Sequence, residues 1–274
     1  MNTTVAHEAR GFVRTPLFEG LARAGYVARG LIYAIIGILA IQLAEGVSTK
    51  PASQQGALQT LASQRFGHAL LVLMAIGLGG YALWRFAQAL IGTTPEAGKH
   101  STMERIGALG SGIAYGIFCA LAITVLRHGS AAASGSNQKP RDLTATAFGW
   151  PGGRLIVGLV GLMFLVVACY QAYLGLSRRF LDDSKTFEMS RGVRTAFTWV
   201  GTFGICARAV AFALIGIFIV QAARTYNVRE TVGLDGALVR VTRQSYGPWL
   251  LGIVAVGLIA FGIYSIADAK FRKI

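Results

Sequence analysis

Six long apolar runs constrain the fold of this 274-residue chain more than any other feature. A helix of about 20 apolar residues crosses the hydrocarbon layer of a bilayer. Charged residues make up only 14% of the chain, against about a quarter in a soluble domain. The runs lie at 25–44, 67–90, 106–126, 155–176, 197–223 and 246–267. They predict an all-α, polytopic integral membrane protein with six transmembrane helices.

The formal net charge of +14 comes from basic residues in the short connectors between the runs. They form no single patch or motif, which argues against a nucleic-acid partner. If both tails lie on one side, that side has 14 Lys/Arg and the opposite side has 10. Since Lys/Arg excess marks the cytoplasm, we expect both termini to be cytoplasmic, including an N-terminal tail at 1–18.

The first and fifth runs are near copies of each other. GYVARGLIYAIIGILAIQLA occupies 25–44, and GICARAVAFALIGIFIVQAA occupies 204–223. An offset of 179 places Arg208 on Arg29 and Gln221 on Gln42. An offset of about 180 then aligns the second and sixth runs, as in AQA at 87–89 and ADA at 267–269. Two spans that match at nearly one offset indicate an internal duplication.

A weaker middle copy appears at an offset of 82, where Tyr115 falls on Tyr33 and Ser111 on Arg29. The chain therefore divides into three two-helix repeats, at 19–92, 103–178 and 197–271. Each repeat begins and ends on the same side of the membrane because it contains two spans. Such repeats are parallel and related by an axis along the membrane normal, which predicts a pseudo-threefold bundle.

A polar connector separates the two spans of each repeat, and its apolar residues recur at spacings of three or four. This pattern predicts a short interfacial amphipathic helix in every repeat. Asp142 and Asp235 precede two of these stretches and are expected to be the N-cap residues of the short helices.

Small residues at every fourth position predict close helix packing. The best example is the face formed by Gly112, Gly116 and Ala120, whose spacing lets helix backbones approach closely in lipid.

GYVARGLIY with GYALWRFAQA, repeated three times across almost the whole chain, resembles the bacterial membrane proteins grouped as domain of unknown function 1206. Those proteins carry several copies of a two-helix unit. The middle copy departs from the others, because Ser111 replaces the arginine. The resemblance implies this architecture and a location in the inner membrane of a bacterium, and it implies no activity.

Arg29 and Arg208 are the charges inside the apolar runs that most need an explanation, since a charge in a span costs a few kcal/mol on insertion scales. If the hydrocarbon boundary is at residue 25, Arg29 lies about 6 Å inside it. If the fifth helix begins at residue 197, Arg208 lies about 16 Å inside. Three roles are open: anchoring to headgroups or lipid phosphates, a polar clamp between helices, and an anion site. A guanidinium suits phosphate or carboxylate through two parallel hydrogen bonds.

Three further polar residues complete the candidate site. Gln42 and Gln221 lie near the opposite end of the helices that carry the arginines, and amides in spans commonly bridge helices. Ser111 occupies the arginine position of the middle repeat.

No catalytic or metal-binding pattern is present. The three cysteines lie far apart in separate spans, the histidines lie in tails, loops or span ends, and the centres of the spans contain no carboxylate. We therefore expect neither an enzyme nor a metal or cofactor.

The expected function is that of a structural, lipid-contacting or accessory membrane component. Its expected partners are the bilayer, anionic lipids, a membrane protein or a second copy. The alternative is a small channel or transporter with an anion or lipid-phosphate site between the repeats.

Overall fold

The computed structural model describes residues 16–47, 52–91, 102–129, 138–242 and 247–273. Over these residues the chain forms nine α-helices and no β-strand, which confirms the all-α prediction. The predicted N-terminal tail lies almost wholly outside them. The helices are α1 Pro16–Ala44, α2 Gln54–Ala62, α3 Gly67–Ile91, α4 Thr102–His128, α5 Gln138–Phe148, α6 Gly153–Leu176, α7 Arg191–Thr225, α8 Leu234–Thr242 and α9 Gly247–Phe271.

Within the described residues, six helices are long and apolar enough to cross a membrane, namely α1, α3, α4, α6, α7 and α9. Each corresponds to one predicted run. Two begin well before their runs, α1 at Pro16 and α7 at Arg191. Proline suits a first helical position because its missing N–H would have no partner there. Ser190 caps α7, and its Oγ accepts a hydrogen bond from the Val193 amide.

The short helices α2, α5 and α8 lie in the three connectors, as predicted. The N-cap predictions were wrong. Helix α5 begins at Gln138, so Asp142 lies within its first turns, and Asp235 is the second residue of α8. The Asp235 carboxylate instead accepts a hydrogen bond from the Ala52 amide at 2.9 Å. It therefore joins the connector of the third repeat to that of the first.

The spans pack in the order α4, α3, α1, α9, α7, α6. The second span of each repeat packs against the first span of another: α3 on α4, α6 on α7, and α9 on α1. Within the first and third repeats the two spans also pack together, α1 on α3 and α7 on α9. Three equivalent contacts between repeats are what the predicted three-repeat bundle requires.

The middle repeat is the exception, because α4 and α6 share no extensive packed face within the described part of the chain. These two spans are also the least buried, at 22% and 17% of their apolar windows, against 56% for α9. Ile117 on α4 and Leu162 on α6 are among their exposed apolar side chains. The six spans therefore form an open ring, whose gap lies between α4 and α6.

Glycines allow the closest helix approaches. A Cβ placed on Gly30 of α1 would lie 2.6 Å from the Gly262 oxygen of α9, and one on Gly262 would lie 2.7 Å from the Gly30 oxygen. Gly161 and Gly216 face each other in the same way between α6 and α7. By contrast, no described residue from another element lies within 4 Å of a Cβ built on Gly116, so the predicted small-residue face on α4 is only partly used.

The loop 177–190 between α6 and α7 is bound to the end of α9. The Lys185 amide donates to the Phe271 oxygen at 2.7 Å, and the Lys273 amide donates to the Asp183 oxygen at 3.0 Å. Arg23 of α1 donates to the carbonyls of residues 269 and 270. The first and last spans are thus joined at the same end of the bundle as this loop.

Candidate functional site: two arginines among aromatic rings

Arg29 is buried between three helices, with 6% of its surface exposed. Its Nε donates to Ser265 Oγ of α9 at 2.6 Å, and its Nη1 donates to Tyr81 Oη of α3 at 2.9 Å. Ser265 Oγ in turn donates to the Tyr26 carbonyl at 3.1 Å. The arginine therefore joins α1 to both of its packing partners.

Aromatic rings enclose the Arg29 guanidinium. Its central carbon lies 4.6 Å from the Tyr26 ring centre, 5.3 Å from Tyr81 and 5.2 Å from Phe261. A cation over aromatic faces is stabilised by their negative charge, and more strongly where water is excluded. Of the three roles left open by the sequence, this geometry is that of an interhelical clamp.

The helix that carries Arg29 begins earlier than the apolar run that contains this residue. Because α1 begins at Pro16, Arg29 lies about 20 Å from the start of its helix at 1.5 Å per residue. Its side chain points toward Ser265 and Tyr81 and is enclosed there, so it does not extend to the lipid headgroups.

Arg208 lies midway along α7, about 25 Å from either helix end. Its guanidinium carbon is 5.2 Å from the Tyr33 ring, 5.1 Å from Phe212 and 4.9 Å from Phe261. The residue is half-buried. Its Nε is fully buried and has no hydrogen-bond partner within the described part of the chain. None of the ion pairs seen among the described residues includes Arg208.

One hydroxyl group explains part of the difference between the arginines. At the offset of about 180, Phe261 of the third repeat falls on Tyr81 of the first. Both rings lie against the arginine of their own repeat, but only Tyr81 has an oxygen that can accept a hydrogen bond. Arg208 therefore has an aromatic contact equivalent to that of Arg29 but lacks the hydroxyl acceptor that Tyr81 gives Arg29.

Phe261 and Tyr81 were not among the residues that the sequence singled out. Phe261 lies between the two guanidiniums, 5.2 Å from that of Arg29 and 4.9 Å from that of Arg208. The repeat alignment contained the signal, since the two aromatic residues occupy equivalent positions one helix after equivalent arginines.

The other predicted site residues lie outside this cluster. The side chains of Gln42 and Gln221 are exposed at the ends of α1 and α7, so neither bridges helices in the interior. Ser111 is half-buried on α4. The site predicted from the sequence therefore reduces to its two arginines and gains the rings around them.

Asp268 is a second buried charge, with 1% of its surface exposed. Ser184 Oγ donates to its Oδ1 at 3.1 Å, and Arg272 Nη1 lies 3.5 Å from its Oδ2. Burial lowers the pKa of the Arg272 guanidinium, but Tyr26, Asp268 and Asp183 raise it further, and the net pKa lies well above the usual value. Arg272 Nη2 also donates to Asp183 Oδ2 at 2.8 Å. Together with the bond from Ser184 to Asp268, this contact attaches the 177–190 loop to the end of α9.

Comparison with known proteins supports the repeat architecture. A family profile described as Domain of Unknown Function (DUF1206) matches three times, at 24–92, 106–178 and 203–272. The chain belongs to this family. The matches coincide with the three two-helix repeats and confirm the resemblance.

The chain is also similar to "Uncharacterized protein YxxB" of Bacillus subtilis (strain 168). The two are 30% identical over 257 residues, which cover 94% of this chain and 92% of the relative. No solved structure matches the chain. Family and helices together describe a multi-pass membrane protein of bacterial type, whose role these relatives leave open.

Proposed function

We propose that this protein is a non-enzymatic, lipid-contacting component of the bacterial cytoplasmic membrane, and that Arg208 binds an anionic group between the repeats. Both termini face the cytoplasm in this proposal. The anionic group is a phosphate or a carboxylate, from a membrane amphiphile or from solution. The observation that carries the proposal is the buried Nε of Arg208 without a hydrogen-bond partner.

A buried charged donor without an acceptor is costly, and more so in a membrane interior. Aromatic faces offset part of this cost but accept no strong hydrogen bond. Arg29, which has two oxygen acceptors in addition to three rings, is a satisfied arginine in the same fold. An anion with two oxygens would supply what Arg208 lacks, since the guanidinium fork matches carboxylate and phosphate.

The open ring supports access to this position. Arg208 is half-buried, so part of its surface stays reachable. The spans α4 and α6 do not pack closely, and an amphiphile in the surrounding lipid can approach between them. Phe261, against which Arg208 lies, is about 15 Å from the end of α9, and this distance supports a site inside the hydrocarbon layer.

The test is anion-dependent stabilisation in nanodiscs of phosphatidylcholine. A ligand that binds only the folded state raises the midpoint of thermal unfolding, followed here by tryptophan fluorescence. Phosphatidylglycerol, oleate and inorganic phosphate are added in separate arms, which distinguishes lipid phosphate, lipid carboxylate and a dissolved anion. We expect at least one arm to raise the midpoint of the wild type and of Arg127→Gln, an exposed control on α4, but not of Arg208→Gln.

An equal rise for Arg208→Gln and the wild type in every arm would overturn the proposal, as would no rise for the wild type in any arm. Arg208→Lys keeps the charge and loses the planar fork. We expect it to show a smaller rise than the wild type, because one ammonium group cannot replace two parallel hydrogen bonds.

Transport is the second candidate function. Carriers place their substrate sites near the middle of the bilayer between repeats, which is where Arg208 lies. Anion efflux from proteoliposomes separates the two functions. A transporter would show efflux that Arg208→Gln abolishes, whereas a lipid-contacting component would show only the change in thermal stability.

A further inference from the structure

A groove runs along the junction of α6 and α7, far from the two arginines of the candidate site. It consists of two depressions of about 500 and 370 Å³, which share Val220 and Arg224 in their walls. Arg224 is 16 residues beyond Arg208 on α7, or about 24 Å along the helix axis. The groove is therefore independent of the Arg208 site.

The polar end of the groove has two arginines. Arg224 is exposed in the last turn of α7, and Arg154 lies in the first turn of α6. Arg154 Nε donates to the Ala223 carbonyl at 2.9 Å, and its Nη2 donates to the Arg224 carbonyl at 3.0 Å. These bonds hold Arg154 beside Arg224. No carboxylate is among the described residues that line either depression, so the positive charge there is not neutralised within the groove.

The rest of the groove is mainly apolar. Its walls include Leu155, Leu165, Ile217 and Val220, and the uncharged residues Gln221 and Thr225 also line it near the end of α7. Gly158 contributes open space, because the nearest atom to a Cβ built there is the Ala223 Cβ at 3.7 Å. The groove thus has two cationic groups at the helix ends and an apolar trough that leads from them toward the middle of the spans.

We propose that this groove binds one phospholipid with an anionic headgroup. Its phosphate lies between Arg154 and Arg224, and one acyl chain lies along Leu155, Leu165 and Ile217. Charge complementarity selects this occupant over a neutral lipid, since two arginines that line one end of the groove, with no described carboxylate lining it, attract a headgroup with a net negative charge. The position of the arginines at the ends of spanning helices matches the level of lipid headgroups.

Native mass spectrometry of the purified full-length chain tests the proposal. The protein is delipidated in detergent and given equal amounts of phosphatidylglycerol and phosphatidylcholine. We expect the wild type to retain one phosphatidylglycerol preferentially. Arg224→Gln should retain it about tenfold less, since one charge-assisted hydrogen bond is worth about that factor. Gly158→Leu, which fills the trough and leaves both arginines in place, should also lose it.

Two controls match these variants. Arg65→Gln removes an exposed arginine at the same end of the bundle, and Gly116→Leu adds the same side chain where no atom lies within 4 Å. Both should behave as the wild type. Arg208→Gln should also keep this lipid, so the result for the groove is independent of the result for the Arg208 site. Equal retention of both lipids by the wild type would overturn the proposal, as would undiminished phosphatidylglycerol in both Arg224→Gln and Gly158→Leu.

Discussion

Replacing Arg29 and Arg208 with methionine should have opposite effects on stability, although the two residues occupy equivalent positions in their repeats. Methionine keeps an unbranched apolar stem and removes the charge. Arg29→Met breaks hydrogen bonds to Ser265 and Tyr81 and leaves both oxygens in a buried environment. Arg208→Met removes a buried donor that has no acceptor among the described residues.

The magnitude follows from the contacts of Arg29. Hydrogen bonds from a charged donor contribute about 1.5–3 kcal/mol each in soluble proteins, and interhelical hydrogen bonds in membranes average nearer 0.6 kcal/mol. Two such bonds together with three ring contacts give a loss of about 2–5 kcal/mol for Arg29→Met. Arg208→Met also loses three ring contacts, but it removes a buried charged donor that has no acceptor among the described residues. The two effects oppose each other, and we expect a change between zero and a gain of about 1 kcal/mol, provided that no anionic ligand is present.

The assay is unfolding by sodium dodecyl sulfate in mixed micelles with a neutral detergent, followed by far-ultraviolet circular dichroism. Tyr81→Phe keeps the ring and removes an oxygen that accepts from both Arg29 Nη1 at 2.9 Å and Arg85 Nε at 3.0 Å, so only the double-variant cycle isolates the bond to Arg29. The double variant Arg29→Met/Tyr81→Phe should lose less than the sum of the two single losses, as expected for residues in direct contact. The reasoning is refuted if Arg29→Met is as stable as the wild type or if Arg208→Met is the more destabilised variant.

Three further predictions concern packing, the 177–190 loop and topology. Gly30→Ala should destabilise the protein by about 1–3 kcal/mol in the same assay because its Cβ would collide with a carbonyl oxygen of α9, whereas Gly116→Ala should be neutral or stabilising. Asp268→Asn should lower the free energy of unfolding by about 3 kcal/mol, because it weakens a buried ion pair with Arg272. Trypsin should then cleave the 177–190 loop faster, and an unchanged cleavage rate would contradict this prediction. Topology can be tested with single cysteines in a variant without the native cysteines. Glu188→Cys should react with a membrane-impermeant maleimide only after the cells are opened, whereas Arg65→Cys should react in intact spheroplasts. The reverse pattern would invert the proposed topology.

The spans and repeats could be predicted because both signals are carried by local sequence. Hydropathy identifies a spanning helix without knowledge of its neighbours, and an internal duplication shows its own period. The start of α1 could not be read from hydropathy, because Glu19 and Arg23 interrupt the apolar residues that precede position 25. A second signal was available there: Glu19 and Arg23 are four residues apart, and they form an ion pair along the helix.

The roles of the two arginines could not be predicted, because they depend on partners from other helices. Equivalent positions in the repeats suggested one role for both residues. The structure separates them through the acceptors around them, and Tyr81 has a hydroxyl where Phe261 has none. The gap beside α4 and α6 was equally out of reach, since a repeat pattern specifies which helices are equivalent and not which of them touch.

The order in which the spans pack has a consequence for how the chain can be cut and rejoined. Helices α1 and α9 share an extensive interface, and Arg23 of α1 bonds to carbonyls at the end of α9, so the two ends of the described chain are adjacent. The weakest contact is between α4 and α6, which are neighbours in sequence. A circular permutant could begin at α6, join the present ends with a linker and finish with α4. Its spans would then be synthesised in the order in which they pack, with only the short connector helices between them. In the native order, α1 is inserted first and its α9 partner last. Completion of the bundle therefore waits for the end of translation, and the permutant would remove that wait.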